Sequence, residues 1–155
     1  MIIQTREFHR ITIGLLALVV LSVSAVPTLV AQTSLQGKLG LRALTRDDIT
    51  LYKLPATTQV SAGLSTVGLG QPAYLEALVD KAIKGSDTAN VTWELTRPSR
   101  SRAELVDGPL AKDVPSSQPS ENEVSQVVGR KLLRPDVVGQ YTVTATIAGP
   151  AGTAN

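Results

Sequence analysis

The residues of this chain that could do chemistry are a few carboxylates and arginines, and their spacing matches no catalytic pattern. Glu94 and Glu104 could form the acid and base of a glycoside hydrolase, but both fall on solvent-facing positions of predicted strands. His9 is the single histidine, and cysteine is absent. Ser-His catalysis, thiol catalysis, c-type haem attachment and metal sites of histidine or thiolate are therefore excluded after the N-terminal segment. We expect neither an enzyme nor a cofactor.

Oxygen ligands offer the remaining candidate metal site. The aspartates considered are Asp47, Asp48, Asp80 and Asp87. They form no Asp-x-Asp-x-Asp-Gly loop, so we predict no calcium site. Asn90-Val-Thr92 matches a glycosylation sequon but begins a core strand, and we interpret it as chance. Gly68-Leu-Gly70 is too short for a phosphate-binding loop and lacks the strand–glycine–helix setting.

The densest basic cluster is Arg97-Pro-Ser-Arg100-Ser-Arg102. Such a cluster could bind anionic glycans or phosphates, but it contains no aromatic residue and is interpreted as a solvated loop. Basic and acidic residues nearly balance over the whole chain, at 15 and 13. Because nucleic-acid binding needs a concentrated basic face, we expect no nucleic acid as a partner.

The first 31 residues have the pattern of an export signal. Two arginines precede an apolar run at 11–21, and small residues follow it, which is the order of a secretory signal peptide. We predict cleavage after Ala31, with Ala25 as the alternative. An uncleaved anchor is the other interpretation, since residues 11–31 would span roughly 31 Å as a helix. In each case the following domain is expected to be secreted, periplasmic or at the cell surface.

The chain after the leader is predicted to consist of strands. The clearest are 90–96, with Trp93 on the inward side, and 141–147, which begins with an inward Tyr141 and alternates with threonines. Further strands are predicted at 48–54, 73–80, 103–106 and 124–133, the last interrupted at Gly129. Segment 73–80, in which Tyr74, Glu76 and Asp80 alternate against apolar residues, also has the composition of a helix, but its flanking turns favour a strand. Residues 111–123 are predicted to be a surface loop.

Two motifs give the chain a resemblance to a known family. Val91-Thr-Trp93-Glu-Leu95 is an alternating strand with a central tryptophan, and Pro135-Asp136-x-x-Gly139-x-Tyr141 is a turn into the next such strand. In both, the chain resembles the immunoglobulin-like domains of exported bacterial proteins, especially the polycystic-kidney-disease (PKD) type. The resemblance covers roughly residues 56–150. It implies that Trp93 fills the space between two sheets and that the Tyr141 hydroxyl bonds to upstream backbone.

These observations lead to an expected organisation and function. We expect a signal peptide or anchor over 1–31, an N-terminal extension with a strand over 32–55, and an all-β, immunoglobulin-like (PKD-like) sandwich over 56–155 that lacks its last strand. The resemblance implies a non-catalytic extracytoplasmic module for binding, adhesion or spacing, with a protein or glycan ligand. The alternative is an N-terminal accessory domain of a larger secreted enzyme or multihaem cytochrome. A strand-completing partner is also expected, because an incomplete sandwich exposes a sheet edge.

Overall fold

Seven strands and one short helix form the described part of the chain, residues 35–116 and 125–149, in this computed structural model. The predicted leader and residues 117–123 of the predicted loop lie outside the described residues. No helix within the described ranges is long and apolar enough to cross a membrane. The elements are β1 (Gly37–Leu44), α1 (Arg46–Leu51), β2 (Ser61–Ala62), β3 (Ala73–Asp80), β4 (Asn90–Thr96), β5 (Val106–Asp107), β6 (Ser125–Leu133) and β7 (Thr142–Ala148), with a 3₁₀ turn at Ser86–Thr88.

The strands form two antiparallel sheets, which confirms the all-β prediction. The larger sheet has the order β2-β1-β3-β6-β5, and the smaller sheet pairs β4 with β7. The sheets face each other across two apolar clusters, one around Leu75 and Leu133 and one around Ala77 and Ile147. Trp93 packs against both clusters. A single large side chain therefore joins the two halves of the core.

Strand β3 is the centre of the molecule, and it is buried from Ala73 to Val79. The smaller sheet covers its inner face. Its outer face is covered by α1 and by the outer loop, defined as residues 109–116, which supply partners for Leu44 and Tyr74. A strand covered on both faces can be apolar almost continuously, which explains why its composition was ambiguous between helix and strand.

A β-bulge in β6 explains the interruption predicted at Gly129. Ala77 pairs with Gly129 and Leu78 with Val127, so one residue of β6 is left over at this point. An added Cβ on Gly129 would lie 3.1 Å from Val91 Cγ2 and 3.4 Å from Trp93 Cζ2. The missing side chain at position 129 therefore lets Trp93 approach the larger sheet.

The predicted strand at 48–54 is wrong, because this segment begins in α1, Arg46–Leu51. Thr45 caps the helix: its hydroxyl accepts a hydrogen bond from the Asp48 N–H at 3.1 Å, and the Asp48 carboxylate accepts one from the Thr45 N–H at 2.9 Å. This reciprocal capping box favours a helical turn over an extended chain. Ile49 and Tyr52 then pack against the cluster of Leu44, Tyr74 and Leu110.

The other predicted strands are confirmed, with small changes. The structure has strands at 73–80, 90–96, 125–133 and 142–148. The short strand predicted at 103–106 is instead Val106–Asp107. Strand β1 was not predicted, because Gly37, Lys38 and Gly40 break the alternation along it.

Candidate functional site

The carboxylates considered above as catalytic or calcium-binding residues lie on exposed surface, in a helix cap or in a turn. Glu94 is exposed on β4 opposite Thr144, and Glu104 is exposed in the connection between β4 and β5. Asp48 belongs to the helix cap, where hydrogen bonds from Thr45 hold the pKa of its carboxyl below the usual value. Asp80 accepts a hydrogen bond from the Ala82 N–H at 2.8 Å in the turn after β3. Within the described ranges, no group of three or more His, Cys, Asp or Glu residues could hold a metal ion.

The two remaining sequence motifs also lie in ordinary structural settings. Asn90 is the exposed first residue of β4 and pairs with Ala148. Gly70 has a positive φ of 71° in the turn before β3, and its N–H donates to the Pro135 carbonyl at 2.7 Å. The glycines of residues 68–70 therefore make a turn that leads into a strand.

Three charged side chains that the sequence analysis did not select are buried together on the outer face of the larger sheet. They are Glu76, Arg42 and Arg130, whose side chains are 1%, 2% and 5% exposed. Arg130 lies directly opposite Glu76 on the neighbouring strand, and Arg42 lies diagonally opposite on the other neighbour. Glu76 Oε1 is 2.9 Å from Arg130 Nη2 and 3.2 Å from Arg42 Nη1.

The same two arginines attach the outer loop to the sheet. Arg130 Nη2 donates to the Val114 carbonyl at 2.7 Å, and Arg42 Nη1 donates to the Pro115 carbonyl at 2.7 Å. The Ser116 hydroxyl donates to Glu76 Oε2. Burial lowers the pKa of Arg130, and the charge of Glu76 opposes this shift. Glu76 thus offsets one of the two arginine charges, and Asp48 Oδ1, which is 3.7 Å from Arg42 Nη2, offsets the other. The same arginines hold the loop.

The geometry of this buried cluster is not that of a catalytic site. Both oxygens of Glu76 accept hydrogen bonds from protein groups. The cavity beside Glu76 and Arg130 has a volume of about 10 Å³, which is about the space of one water molecule. A signal for the cluster exists in the sequence: Glu76 is the single charge within an otherwise apolar strand interior, and such a charge needs a buried partner.

The Pro-Asp-x-x-Gly-x-Tyr motif builds a corner between two connections. The Asp136 carboxylate accepts hydrogen bonds from the Ser101 hydroxyl at 2.5 Å and from the Arg102 N–H at 2.6 Å. The Tyr141 hydroxyl lies 2.9 Å from Asp136 Oδ1 and accepts a hydrogen bond from the Val137 N–H at 3.2 Å. The hydrogen bonds from Ser101, and then from Arg102, hold the pKa of Asp136 far below its usual value. The expected bond between Tyr141 and upstream backbone is present.

The basic cluster lies at the same corner and gains a fourth arginine. Arg97 donates to the Ala103 carbonyl, and the side chains of Arg100 and Arg102 are exposed. Arg134 donates to Gln59 Oε1 at 2.6 Å and to the Gly70 carbonyl at 3.1 Å. The predicted solvated loop is therefore part of a broader basic surface.

A groove runs along the edge of β7 that faces away from β4. It has a volume of about 260 Å³ and is lined by four apolar residues, Leu35, Leu39, Ala145 and Ile147, together with Gly37, Lys38 and Thr146. Within the described ranges, this edge accepts one backbone hydrogen bond, from the Leu35 N–H to the Ile147 carbonyl at 2.9 Å. Leu39 pairs with Ala77 and so points to the inner face of the larger sheet, yet it is 42% exposed. The smaller sheet thus leaves this part of the inner face uncovered.

The described residues therefore offer two candidate ligand surfaces, the groove beside β7 and the basic corner, and no catalytic constellation. A third polar feature, the buried cluster around Glu76, is enclosed by the outer loop. Comparison of the chain with protein-family models, with curated proteins and with solved structures finds no match.

Proposed function

We propose that the chain is a non-catalytic, immunoglobulin-like module that acts outside the cytoplasm in binding, adhesion or spacing. The observation that carries the proposal is the strand order. The sheets β1-β3-β6-β5 and β4-β7 follow the sheets A-B-E-D and C-F of an immunoglobulin-type sandwich when the strands are lettered along the chain, with β2 as an addition beside β1. Fold alone does not specify a ligand. The strand order therefore supports the type of module, and a ligand has to be inferred from the surface features of the chain.

Two side chains support this assignment. Trp93 lies on the third lettered strand and packs into both core clusters, as a sandwich tryptophan does. Tyr141 immediately precedes the sixth lettered strand, and its hydroxyl bonds to Val137 backbone, which is the geometry of a tyrosine corner. The buried charges of the described residues bind one another and the outer loop, which supports a non-catalytic role.

The extracytoplasmic part of the proposal rests on the leader pattern of residues 1–31. The test is expression of residues 1–155 in a bacterial host, followed by fractionation and mass measurement of the recovered protein. A periplasmic or secreted species that begins at Gln32 supports the proposal, and one that begins at Val26 supports it with the alternative cleavage site. Recovery of the intact chain in the soluble cytoplasmic fraction would contradict it.

A second candidate function, acceptance of a strand from another polypeptide, is favoured by the groove beside β7. The carbonyl of Ile147 points away from β4, and alternate residues of a strand direct their backbone groups to the same edge. Ala145 therefore also presents its N–H and C=O groups to the groove, and Val143 presents its backbone groups to the same strand edge beyond the groove. An added strand would pair with these groups and cover Leu39, at the position beside F where an immunoglobulin-type sandwich has strand G.

Sedimentation velocity over a concentration series tests whether copies of the chain supply such a strand to one another. We expect oligomers for the wild-type chain and monomers for Leu39→Lys, because the substitution replaces the apolar side chain that an added strand would cover with a charged one. Leu64→Lys is the matched control, since Leu64 is also exposed, at 60%, but lies in the loop before β3. A monomeric wild-type chain with a cooperative thermal transition would exclude self-donation.

A further inference from the structure

We infer that one end of the sandwich docks on an anionic lipid bilayer, through arginines that bind headgroup phosphates and aliphatic side chains that enter the interface. This arginine end consists of the three connections 55–72, 97–105 and 134–140. They lie where β3 begins and where β4 and β6 end. The inference does not depend on the immunoglobulin-like assignment or on the leader.

Hydrogen bonds join the three connections into one surface. The Gly70 N–H donates to the Pro135 carbonyl at 2.7 Å, which links the first connection to the third. The Arg102 N–H donates to the Asp136 carboxylate at 2.6 Å, which links the second to the third. Side chains at these positions are therefore held at fixed relative places.

The arginine end carries an excess of positive charge that is available to a ligand. Connection 55–72 has no charged residue, and the other two have two acids, Glu104 and Asp136. The Asp136 carboxylate is already engaged by Ser101 and Arg102. The same two connections contain four arginines, which leaves a net positive charge. These are Arg97, Arg100, Arg102 and Arg134. The exposed guanidinium groups of Arg100 and Arg102 have no hydrogen-bond or ion-pair partner within residues 35–116 and 125–149.

Aliphatic side chains project from the same surface. Val138 is 86% exposed, Leu64 is 60% exposed and Leu69 is 55% exposed. The backbone around Val138 is fixed, because both neighbouring residues contact other parts of the corner. Val137 donates its N–H to the Tyr141 hydroxyl, and Gly139 packs so closely on Pro98 that an added Cβ would lie 2.6 Å from Pro98 Cγ. The structure thus exposes aliphatic side chains of isobutyl and isopropyl size on the same joined connections that carry the arginines.

This combination fits a bilayer better than other anionic partners. None of the three connections contains an aromatic residue, so they lack the stacking groups that bind single-stranded nucleic acid and the faces of sugars. Aliphatic groups gain free energy by leaving water for the acyl boundary, while nearby arginines attract anionic headgroups. A soluble polyanion would use the arginines and leave the aliphatic groups in water.

A local fluorescence probe tests the inference in the full chain. Because the chain has no cysteine, Val138→Cys can be labelled selectively with an environment-sensitive dye such as NBD. We expect a blue shift and quenching by brominated acyl chains with phosphatidylglycerol-containing vesicles, and neither with pure phosphatidylcholine. Lys84→Cys, an exposed site at the opposite end, is the control and should show no shift. A local readout separates insertion at this end from any binding through residues 1–31.

Charge variants in the Val138→Cys background measure the contribution of the arginines. Arg100→Glu with Arg102→Glu should weaken partitioning by more than roughly tenfold, since each basic residue near an anionic surface contributes a factor of about five. Lys81→Glu with Lys84→Glu, at the opposite end, should leave it within about twofold. An unshifted dye at position 138 with anionic vesicles would overturn the inference. So would an equal shift at position 84, or an equal shift at position 138 with dextran sulfate in place of vesicles.

Discussion

Glu76 and the two arginines that flank it show how single residues determine the placement of a loop. Removing such charges from water costs several kcal/mol each, and their attraction offsets the cost only when the geometry and the further hydrogen bonds are good. In this chain the arginines meet these conditions in large part, because they also donate to outer-loop carbonyls, whereas Arg42 Nε is buried without a hydrogen-bond partner among the described residues. The net contribution of the cluster to stability is therefore small, and its main effect is to specify where the outer loop lies.

Removal of the central carboxylate is predicted to be costly. Glu76→Ala leaves two guanidinium groups buried beside each other, and we expect a loss of about 3–5 kcal/mol in the free energy of unfolding. Chemical denaturation followed by the fluorescence of Trp93, the single tryptophan, measures this loss. Glu94→Ala on exposed β4 should change stability by no more than about 0.5 kcal/mol. Equal effects of the two substitutions would show that burial of Glu76 does not matter.

At the scale of elements, the close packing of β6 in the larger sheet against β4 in the smaller sheet depends on a bulge and a glycine. The bulge shifts the register of β6 between its pairings with Ala77 and Leu78. The shift places Gly129, rather than a larger residue, beneath Val91 and Trp93. Bulges re-aim side chains locally, and this one brings the tryptophan of the smaller sheet against the backbone of the larger.

A methyl group at this point is predicted to disturb the core. Gly129→Ala would place a Cβ 3.1 Å from Val91 Cγ2, and overpacking of this kind costs about 1–3 kcal/mol. The measurement is the thermal unfolding midpoint, with near-ultraviolet circular dichroism as a check on the Trp93 environment. Gly68→Ala is the control, because its Cβ would meet a flexible side-chain atom of Gln71 at 3.4 Å. A control variant as unstable as Gly129→Ala would contradict the packing argument.

At the scale of the whole molecule, acid stability follows from carboxylates that accept hydrogen bonds in the folded protein. Hydrogen bonds lower the pKa of Asp136 through Ser101, of Asp107 through Lys131 and of Asp48 through Thr45. The Asp107 side chain is 92% exposed, so solvent screens its pair with Lys131 and its contribution to stability is small. A carboxyl whose folded pKa is below its unfolded pKa, about 3.9, stabilises the fold above that pH. The stabilisation is lost as the pH falls through the folded pKa. The fold should therefore weaken progressively below about pH 5.

Asp136 is predicted to account for a large part of this acid dependence. Asp136→Asn should lower the unfolding midpoint at pH 7, because the Arg102 N–H and the Ser101 hydroxyl lose an ionised acceptor. The difference from the wild-type protein should shrink as the pH falls from 5 towards 2, since the carboxyl of the unfolded wild-type chain then takes up a proton while the folded carboxyl, with its lowered pKa, stays ionised. Differential scanning calorimetry at several pH values measures this trend. A difference that is constant with pH would contradict the role of the carboxylate charge.

The sequence by itself was enough to predict the strands that have one buried face and one exposed face. Strands β4 and β7 alternate with a period of two because one face meets the core and the other meets water, and that pattern is local. The alternation also predicted the inward position of Trp93, and this prediction needs no knowledge of distant segments. The hydrogen bond from Tyr141 to its own connection was implied by the resemblance to immunoglobulin-like domains and not by the local pattern.

Only the tertiary structure decided which segments cover the second face of β3. Glu76 is buried because Arg42, Arg130 and the outer loop meet there from distant parts of the chain, and no local pattern records that meeting. The alternation of Ile49, Leu51 and Lys53 predicted a strand, yet the cap at Thr45 and the packing of Ile49 on the outer face produced a helix. The periodicity of a segment indicates which of its faces are exposed to solvent. Which other segments pack on its buried faces depends on contacts between residues far apart in sequence.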